Sequence, residues 1–252
     1  MKKAASLILA LALCLTLAPA ARATVVESGY CGDPDVNEGK NVTWSLDDAG
    51  TLTFSGTGKM ADYRFENGQT DDIRPWKDYR KQVYAVVFEG SLTYIGEGSF
   101  RNFTKLTDIA LPKTVTSIGK SAFYGCKKLK TVTIGKNVTK IGAGAFSGCK
   151  KLVVVKMGSK VSVIGDEAFY ENLNFDRITL PRELISIGDR AFYGCSELLD
   201  IKFPEGLKSL GQSSFERCSK LTGLYIPDSI RGFFLRAAGY KARSLRLYTE
   251  TL

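Results

Sequence analysis

The chain has 252 residues, with 35 Lys and Arg against 26 Asp and Glu, six cysteines and no histidine. The lack of histidine excludes Ser-His-Asp and Cys-His nucleophilic sites and every zinc site that uses an imidazole ligand. The formal net charge is +9, but the chain carries no nucleic-acid-reading motif and begins with a secretory leader, so nucleic acid is not an expected partner.

The first 23 residues predict a cleavable signal peptide. Lys2 and Lys3 form a basic start, residues 4–17 form an apolar run, and Ala21-Arg22-Ala23 is an A-x-A cleavage site. The apolar run is too short for a helix that spans a bilayer. We therefore expect a mature chain from Thr24, secreted or associated with the cell surface, whose net charge falls to about +6 because three basic residues leave with the leader.

No membrane or wall anchor is evident in the sequence. Cys14 follows Leu13, whereas a lipoprotein signal has a small residue at that position. No apolar segment of membrane length follows residue 233. We expect no transmembrane segment.

Residues 24–82 are expected to form an N-terminal capping module and a linker. Residues 24–40 are rich in Gly, Pro, Asp and Asn, which predicts a loose start. Apolar and polar residues then alternate over 42–46 and over 52–54 on either side of a polar turn, which predicts a β-hairpin. Because a solenoid end exposes core and strand edge, we expect this hairpin to cover the first coil.

Acidic residues gather beside aromatic ones at the end of this module, at Asp62, Glu66, Asp71, Asp72 and Asp78. Carboxylates in such a setting could hydrogen-bond a sugar or hold Ca²⁺. They lack the spacing of a calcium loop, so a linker is the favoured interpretation and no metal site is expected.

A 23-residue period dominates the remainder of the chain. Phenylalanine recurs at this step with a small residue before it, and an Ile-Gly pair, once Leu-Gly, begins five residues earlier. Apolar residues nine and eleven positions after each phenylalanine alternate with outward positions, as in a strand with one buried face. The phenylalanines are Phe100, Phe123, Phe146, Phe169, Phe192 and Phe215.

A single unit has nothing of its own against which to bury its apolar edge, so the units must stack. The sequence therefore predicts a mainly β repeat solenoid of about six units over 83–232, with short turns or helical pieces and the phenylalanine ladder as its spine. Residues 233–252 are expected to complete a C-terminal cap. A short helix is predicted over 229–240 and a last strand within 244–249.

The outward positions of the stacked strands are the candidate ligand-binding surface. They vary from coil to coil while the inward positions stay apolar, as expected of a binding surface and equally of an unconstrained one. We call this surface the strand face; it comprises Asp108, Thr131, Thr133, Lys156, Arg177, Thr179, Asp200, Lys202 and Tyr225.

Lysines recur four and five residues after the phenylalanines, and stacking aligns them along one edge. We favour a solvated turn that keeps the array soluble, and a patch for acidic polymers or an anionic cell surface is the alternative. This lysine edge comprises Lys105, Lys127, Lys128, Lys150, Lys151 and Lys220.

Four of the cysteines, Cys126, Cys149, Cys195 and Cys218, share one repeat position. The favoured interpretation is a buried ladder of thiols. Disulfides between neighbouring coils remain an alternative, because the stacking distance suits them. Asn172 interrupts the ladder and argues against a four-cysteine metal cluster.

The repeat carries a recognisable consensus. Leu-x-x-Ile-x-Leu at 106–111 matches the leucine-rich repeat signature. The fuller unit, in Ala122-Phe-Tyr-Gly-Cys-Lys-Lys-Leu129 and Ala145-Phe-Ser-Gly-Cys-Lys-Lys-Leu152, resembles the BspA-like leucine-rich repeats of secreted and surface bacterial proteins, and residues 41–60 resemble the module that often precedes them. The resemblance implies a leucine-rich-repeat solenoid in an extracellular binding or adhesion protein, and no catalytic residues.

We therefore expect a non-enzymatic recognition or adhesion protein that binds a protein or a glycan through the strand face, without a cofactor. One alternative is a self-associating component of the cell envelope or matrix. A carboxylate-dependent hydrolase that uses Asp71 or Asp72 is a less favoured alternative. The sequence does not identify the ligand or the oligomeric state.

Overall fold

The computed structural model describes residues 23–64, 73–225, 227, 230 and 246–248. Its regular structure is β, apart from short 3₁₀ turns at Asn37–Gly39 and Lys77–Tyr79. The strands are β1 (Val25–Tyr30), β2 (Val42–Asp47), β3 (Thr51–Lys59), β4 (Ala85–Ile95), β5 (Asp108–Ala110), β6 (Ser117–Ile118), β7 (Thr131–Thr133), β8 (Lys140–Ile141), β9 (Val154–Lys156), β10 (Val163–Ile164), β11 (Ser186–Ile187), β12 (Asp200–Lys202), β13 (Ser209–Leu210), β14 (Gly223–Tyr225) and β15 (Arg246–Tyr248).

The described strands form one long sheet and two short ones. The long sheet has nine strands in the order β1-β2-β3-β4-β6-β8-β10-β11-β13, and β5-β7-β9 and β12-β14-β15 form the short sheets. The strands of the array pair in parallel. Each coil thus adds a short strand to one side of the array, and most coils add a second strand to another side. The mainly β repeat fold expected from the sequence is confirmed.

The register keeps equivalent residues of successive coils in line. Ser117 pairs with Lys140, and Ile118 with Ile141, so that partners lie 23 positions apart. The phenylalanine rings stack with centroids 5.1–5.5 Å apart and interplanar angles of 2–16°. These buried rings are the continuous centre of the core.

The backbone turns tightly around each phenylalanine. In every coil of the described array, the residues two before and two after the phenylalanine have φ between 52° and 71°. Between them, the phenylalanine N–H donates to the next coil, as in Phe100 N–H to the Ala122 oxygen at 2.7 Å. Glycine suits such positions, yet Ser121 and Arg190 also adopt them, which indicates that the bonds between coils outweigh the local strain.

The N-terminal hairpin continues directly into the array. β2 and β3 pair antiparallel, β3 pairs in parallel with β4, and the last two residues of β4 pair with β6. Trp76 is buried at this junction, with its ring centroid 4.9 Å from that of Phe54 and 6.4 Å from that of Phe100. The predicted hairpin is confirmed, and its aromatic side chains extend the phenylalanine ladder.

The prediction of a loose start was wrong, since residues 25–30 form β1. Thr24 N–H donates to the Asp48 carboxylate at 3.1 Å, and Asp48 N–H donates back to the Thr24 oxygen at 3.0 Å. Tyr79 Oη donates to the Glu27 carboxylate at 3.3 Å. These bonds, together with pairing to β2, order a segment whose composition alone favours a loop.

At the C-terminal end, the predicted helix over 229–240 lies outside the described residues. Of the strand predicted within 244–249, the structure describes Arg246–Tyr248, which pairs in parallel with β14. No helix within the described ranges is long and apolar enough to cross a membrane.

Candidate functional site

The strand face lies on the short strands of the array. Thr131 and Thr133 on β7 are half-buried. The Tyr225 backbone pairs with that of Lys202, and nothing is described of the Tyr225 side chain. The exposed members are Asp108, Lys156, Arg177, Thr179, Asp200 and Lys202.

The strand face is interrupted at the fourth coil. Between β9 and β12, this coil forms only an isolated bridge from Arg177 to Asp200, and Thr179 lies outside any strand. The strand predicted there was therefore wrong. Phe175 occupies the position of the usual leucine, and its ring lies 5.9 Å from that of Phe169. We assign the loss of regular pairing to this larger side chain at the start of the strand segment.

The lysine edge divides into partnered and unpartnered members. Lys105 Nζ donates to Tyr84 Oη at 2.5 Å, and it lies 4.5 Å from the centroid of that ring. Lys220 forms an ion pair with Glu197 at 2.6 Å. The four central lysines are exposed and make no ion pair with the described residues; they are Lys127, Lys128, Lys150 and Lys151.

Basic and acidic residues are segregated along the array. The comparison of equivalent repeat positions did not reveal this segregation. Residues 109–165 contain eleven lysines and no carboxylate, whereas residues 166–217 contain ten carboxylates and six basic residues. A running count of charge along the sequence would have found this pattern. All eleven lysines are exposed: Lys113, Lys120, Lys127, Lys128, Lys130, Lys136, Lys140, Lys150, Lys151, Lys156 and Lys160.

Stacking concentrates this charge. Lys127 and Lys150 occupy equivalent positions of neighbouring coils, and so do Lys128 and Lys151, which places their backbones about 4.8 Å apart. The ammonium groups at the ends of these exposed side chains carry like charges in one region of the surface, and their mutual repulsion is screened by water and salt. A polyanion laid across the coils would relieve this repulsion, so the arrangement suits an anionic ligand electrostatically.

The cysteine ladder is buried and consists of free thiols. Each sulfur donates to the carbonyl oxygen of the phenylalanine one coil earlier, as in Cys126 to Phe100 at 3.1 Å and Cys218 to Phe192 at 3.2 Å. Burial raises the pKa of the ladder thiol Cys218 to about 12, and it does the same for Cys31, a buried thiol of the N-terminal module outside the ladder. The described residues hold no group of three or more side chains able to ligate a metal. The ladder therefore has a packing role.

We expect these thiols to be unreactive toward a disulfide reagent such as DTNB at pH 8 and to react fully in denaturant, because all of them are buried and burial raises the pKa of Cys149, Cys195 and Cys218. Unfolded thiols titrate near 9.0 and the folded Cys31 and Cys218 near 12. The stability that depends on them is therefore complete below pH 9 and is lost as the pH rises toward 12. Fast labelling of the folded protein at pH 8 would contradict this account.

The acidic residues of the N-terminal module have mainly structural positions. A polar cleft of about 580 Å³ lies beside Asp62, between the module and the first coils. The Asp62 carboxylate accepts bonds from Tyr94 Oη and Glu97 N–H, both at 2.8 Å. Asp62 thus accepts a backbone N–H from the first coil in the same way that Asp166 accepts the Asp189 N–H, at 2.8 Å, from the next coil of the array. Asp78 lies in an exposed 3₁₀ turn.

Three of the predicted carboxylates lie outside the described residues: Glu66, Asp71 and Asp72.

Comparison with known proteins agrees with the repeat fold described above. The family model described as "BspA type Leucine rich repeat region (6 copies)" matches residues 78–172 and 162–237. A search of the curated proteins finds no match.

Several solved structures are similar. A T. pallidum leucine-rich repeat protein is 22% identical with a TM-score of 0.53, over 84% of this chain and 81% of that one. A Bacteroides ovatus leucine-rich repeat protein is 20% identical with a TM-score of 0.48, over 67% and 64% of the two chains. A leucine-rich cell surface protein of Faecalibacterium prausnitzii is 24% identical with a TM-score of 0.42, over 73% and 52%.

At these identities the likeness to the T. pallidum protein supports the fold alone. The family match carries more, since its two ranges together span more than half of the sequence. The chain therefore belongs to the family of BspA-type leucine-rich repeat proteins.

Proposed function

We propose that this chain is a secreted, non-enzymatic recognition protein that binds an anionic glycan or an acidic protein surface through the strand face and the adjoining lysine edge. The leucine-rich repeat family suggests a role in protein interaction. The observation that carries the proposal is the segment 109–165, which contains no carboxylate and eleven exposed lysines, four of them on the lysine edge and one on the strand face.

The rigidity of the array supports this function. The stacked phenylalanines and the parallel strands hold the outward side chains at a constant spacing, so that little conformational entropy is lost when a ligand binds. The face is also divided chemically. Thr131, Thr133 and Lys156 lie on the basic coils, whereas Asp200 lies on the acidic ones. Such a division would set the direction in which a charged ligand lies.

The ends of the chain have their own proposed roles. Residues 1–23 serve as the signal peptide, and residues 24–82 cap the N-terminal end of the solenoid over 83–232. This is supported by the pairing of β3 with β4 and by the packing of Trp76 on Phe100. Residues 233–252 form the C-terminal cap, supported by the pairing of β15 with β14.

The test is binding of the mature chain, residues 24–252, to an array of matrix proteins, mucins, and neutral and anionic glycans at low and physiological salt. We expect saturable binding to anionic members that persists at physiological salt. Replacing Thr131, Thr133 and Lys156, the strand-face residues on the basic coils, with alanine should weaken it at least about tenfold, since the three contacts together exceed the roughly 1.4 kcal/mol that tenfold represents. Binding that appears only at low salt would contradict a specific site.

A further inference from the structure

The nine-stranded sheet ends in an edge strand that no described residue covers. β1 pairs with β2 on one side, and it is the terminal strand of the sheet order. A free edge presents unpaired backbone N–H and C=O groups, which form a template for another strand.

The backbone groups on this edge can be assigned by position. Cys31 N–H donates to the Val42 oxygen at 2.9 Å, toward β2. Antiparallel strands bond their neighbour at alternate residues, so Gly29 also faces β2, whereas Ser28 and Tyr30 direct their N–H and C=O groups outward. The bulge between Val25 and Glu27 lies at the start of the strand and leaves the remaining residues regular.

The edge lacks most of the features that normally prevent association. It contains no lysine and no proline, and the Glu27 carboxylate accepts a bond from Tyr79 Oη. Val25, Val26 and Tyr30 are 58%, 54% and 57% exposed. Apolar exposure of this extent along an open edge favours a partner strand.

We propose that two copies of the mature chain pair through β1, antiparallel about a two-fold axis, and continue the sheet from one protomer into the other. Residues directly opposite each other in an antiparallel pair lie on the same face of the sheet. The two-fold axis must therefore pass between the two copies of one residue, which lie opposite each other. Centring on Glu27 would place two like charges opposite each other. Centring on Ser28 pairs its outward backbone groups and keeps the two Glu27 carboxylates apart, since each then lies opposite the partner's Gly29.

Processing would expose this edge. The predicted cleavage after Ala23 leaves Thr24 as the first residue, directly before β1. The α-ammonium so created would lie beside Asp48, which already accepts the Thr24 N–H. The new terminus is thereby held against its own protomer and leaves the outer edge of β1 open.

Cysteine cross-linking tests the geometry. In the proposed pair the two Ser28 Cα atoms are about 5.5 Å apart, within disulfide range. Ser28→Cys in the mature chain should therefore give a covalent dimer under mild oxidation. Ser45→Cys, which lies opposite Ser28 in β2, is the matched control and should stay monomeric, because its two copies lie about 14 Å apart. The native thiols are buried and should not interfere.

The second measurement is the mass of the unmodified mature chain by analytical ultracentrifugation. The protein concentration is varied over about two decades, from about 1 to about 100 µM. We expect a dimer, and we expect Ser28→Pro to give a monomer, because proline removes only an outward N–H at this edge. Unchanged ligand binding by that variant would separate this proposal from the proposed function. A monomer at all concentrations, a dimer that Ser28→Pro leaves intact, or equal cross-linking of both cysteine variants would overturn it.

Discussion

Ile141→Asp is expected to unfold the array as one cooperative unit. Ile141 is fully buried on β8, paired with Ile118 on one side and Ile164 on the other. A carboxylate placed there loses its hydration without gaining an ionic partner from its isoleucine neighbours. The expected loss is more than about 4 kcal/mol, a large part of the 5–15 kcal/mol that holds a typical domain folded.

Lys140→Asp is the matched control, because the preceding residue on the same strand is exposed. It introduces the same side chain at the same coil and should change the stability by no more than about 0.5 kcal/mol. Thermal melting of the two variants beside the parent chain, followed by circular dichroism, makes the comparison. A native-like Ile141→Asp protein with the melting curve of the parent chain would contradict the solenoid structure.

Arg74→Met is expected to lower the free energy of unfolding by about 3 kcal/mol. The carbonyl groups at the start of the first coil have no preceding coil to bond. Arg74, only 2% exposed, fills that role. Its Nη1 donates to the Arg101 oxygen at 2.8 Å and to the Gly98 and Ser99 oxygens at 3.3 Å. Trp76 Nε1 adds a bond to Ser99 at 2.8 Å.

Methionine retains much of the volume of arginine but removes three hydrogen bonds of this buried side chain, while Ser99 keeps its bond from Trp76 Nε1 and Gly98 keeps its bond from the Arg101 N–H. For a chain of this size the loss corresponds to a melting temperature lower by about 10 °C. Arg182→Met, at an exposed arginine within the array, is the control and should melt with the parent chain. If both variants melt alike, Arg74 does not stabilise the end of the solenoid.

The sequence predicts most of the array because each position is fixed by one constant spacing. Phe123 must stack on Phe146 once Ile118 pairs with Ile141, and the strand face follows from the side-chain alternation. The departures have local causes. In the fourth coil, Phe175 occupies the position that is leucine in the other coils. This change can be seen in the sequence, but its effect on strand pairing cannot.

The N-terminal module is harder to predict because its contacts are non-local. β1 forms on account of Asp48 and β2, neither of which can be read from the composition of residues 24–40. Arg74 resembles any charged linker residue until the carbonyl groups of the first coil that it bonds are located. The strand-face and lysine-edge residues could be assigned to their coils, but their ligand depends on chemistry that a repeat pattern does not specify.

The most direct test of the account is a calorimetric titration of the mature chain with a sulfated polysaccharide such as heparin at physiological salt. The variant replaces Lys127, Lys128, Lys150 and Lys151 with glutamine. The control replaces Lys40, Lys59, Lys77 and Lys81 of the N-terminal module, with the same change in net charge.

We predict that the control binds like the parent chain and that the lysine-edge variant binds at least about tenfold more weakly, since four lost charge contacts exceed 1.4 kcal/mol together. Equal losses in both variants would reduce the interaction to net charge alone. No binding by the parent chain to this or any other anionic polymer would contradict the proposed recognition function.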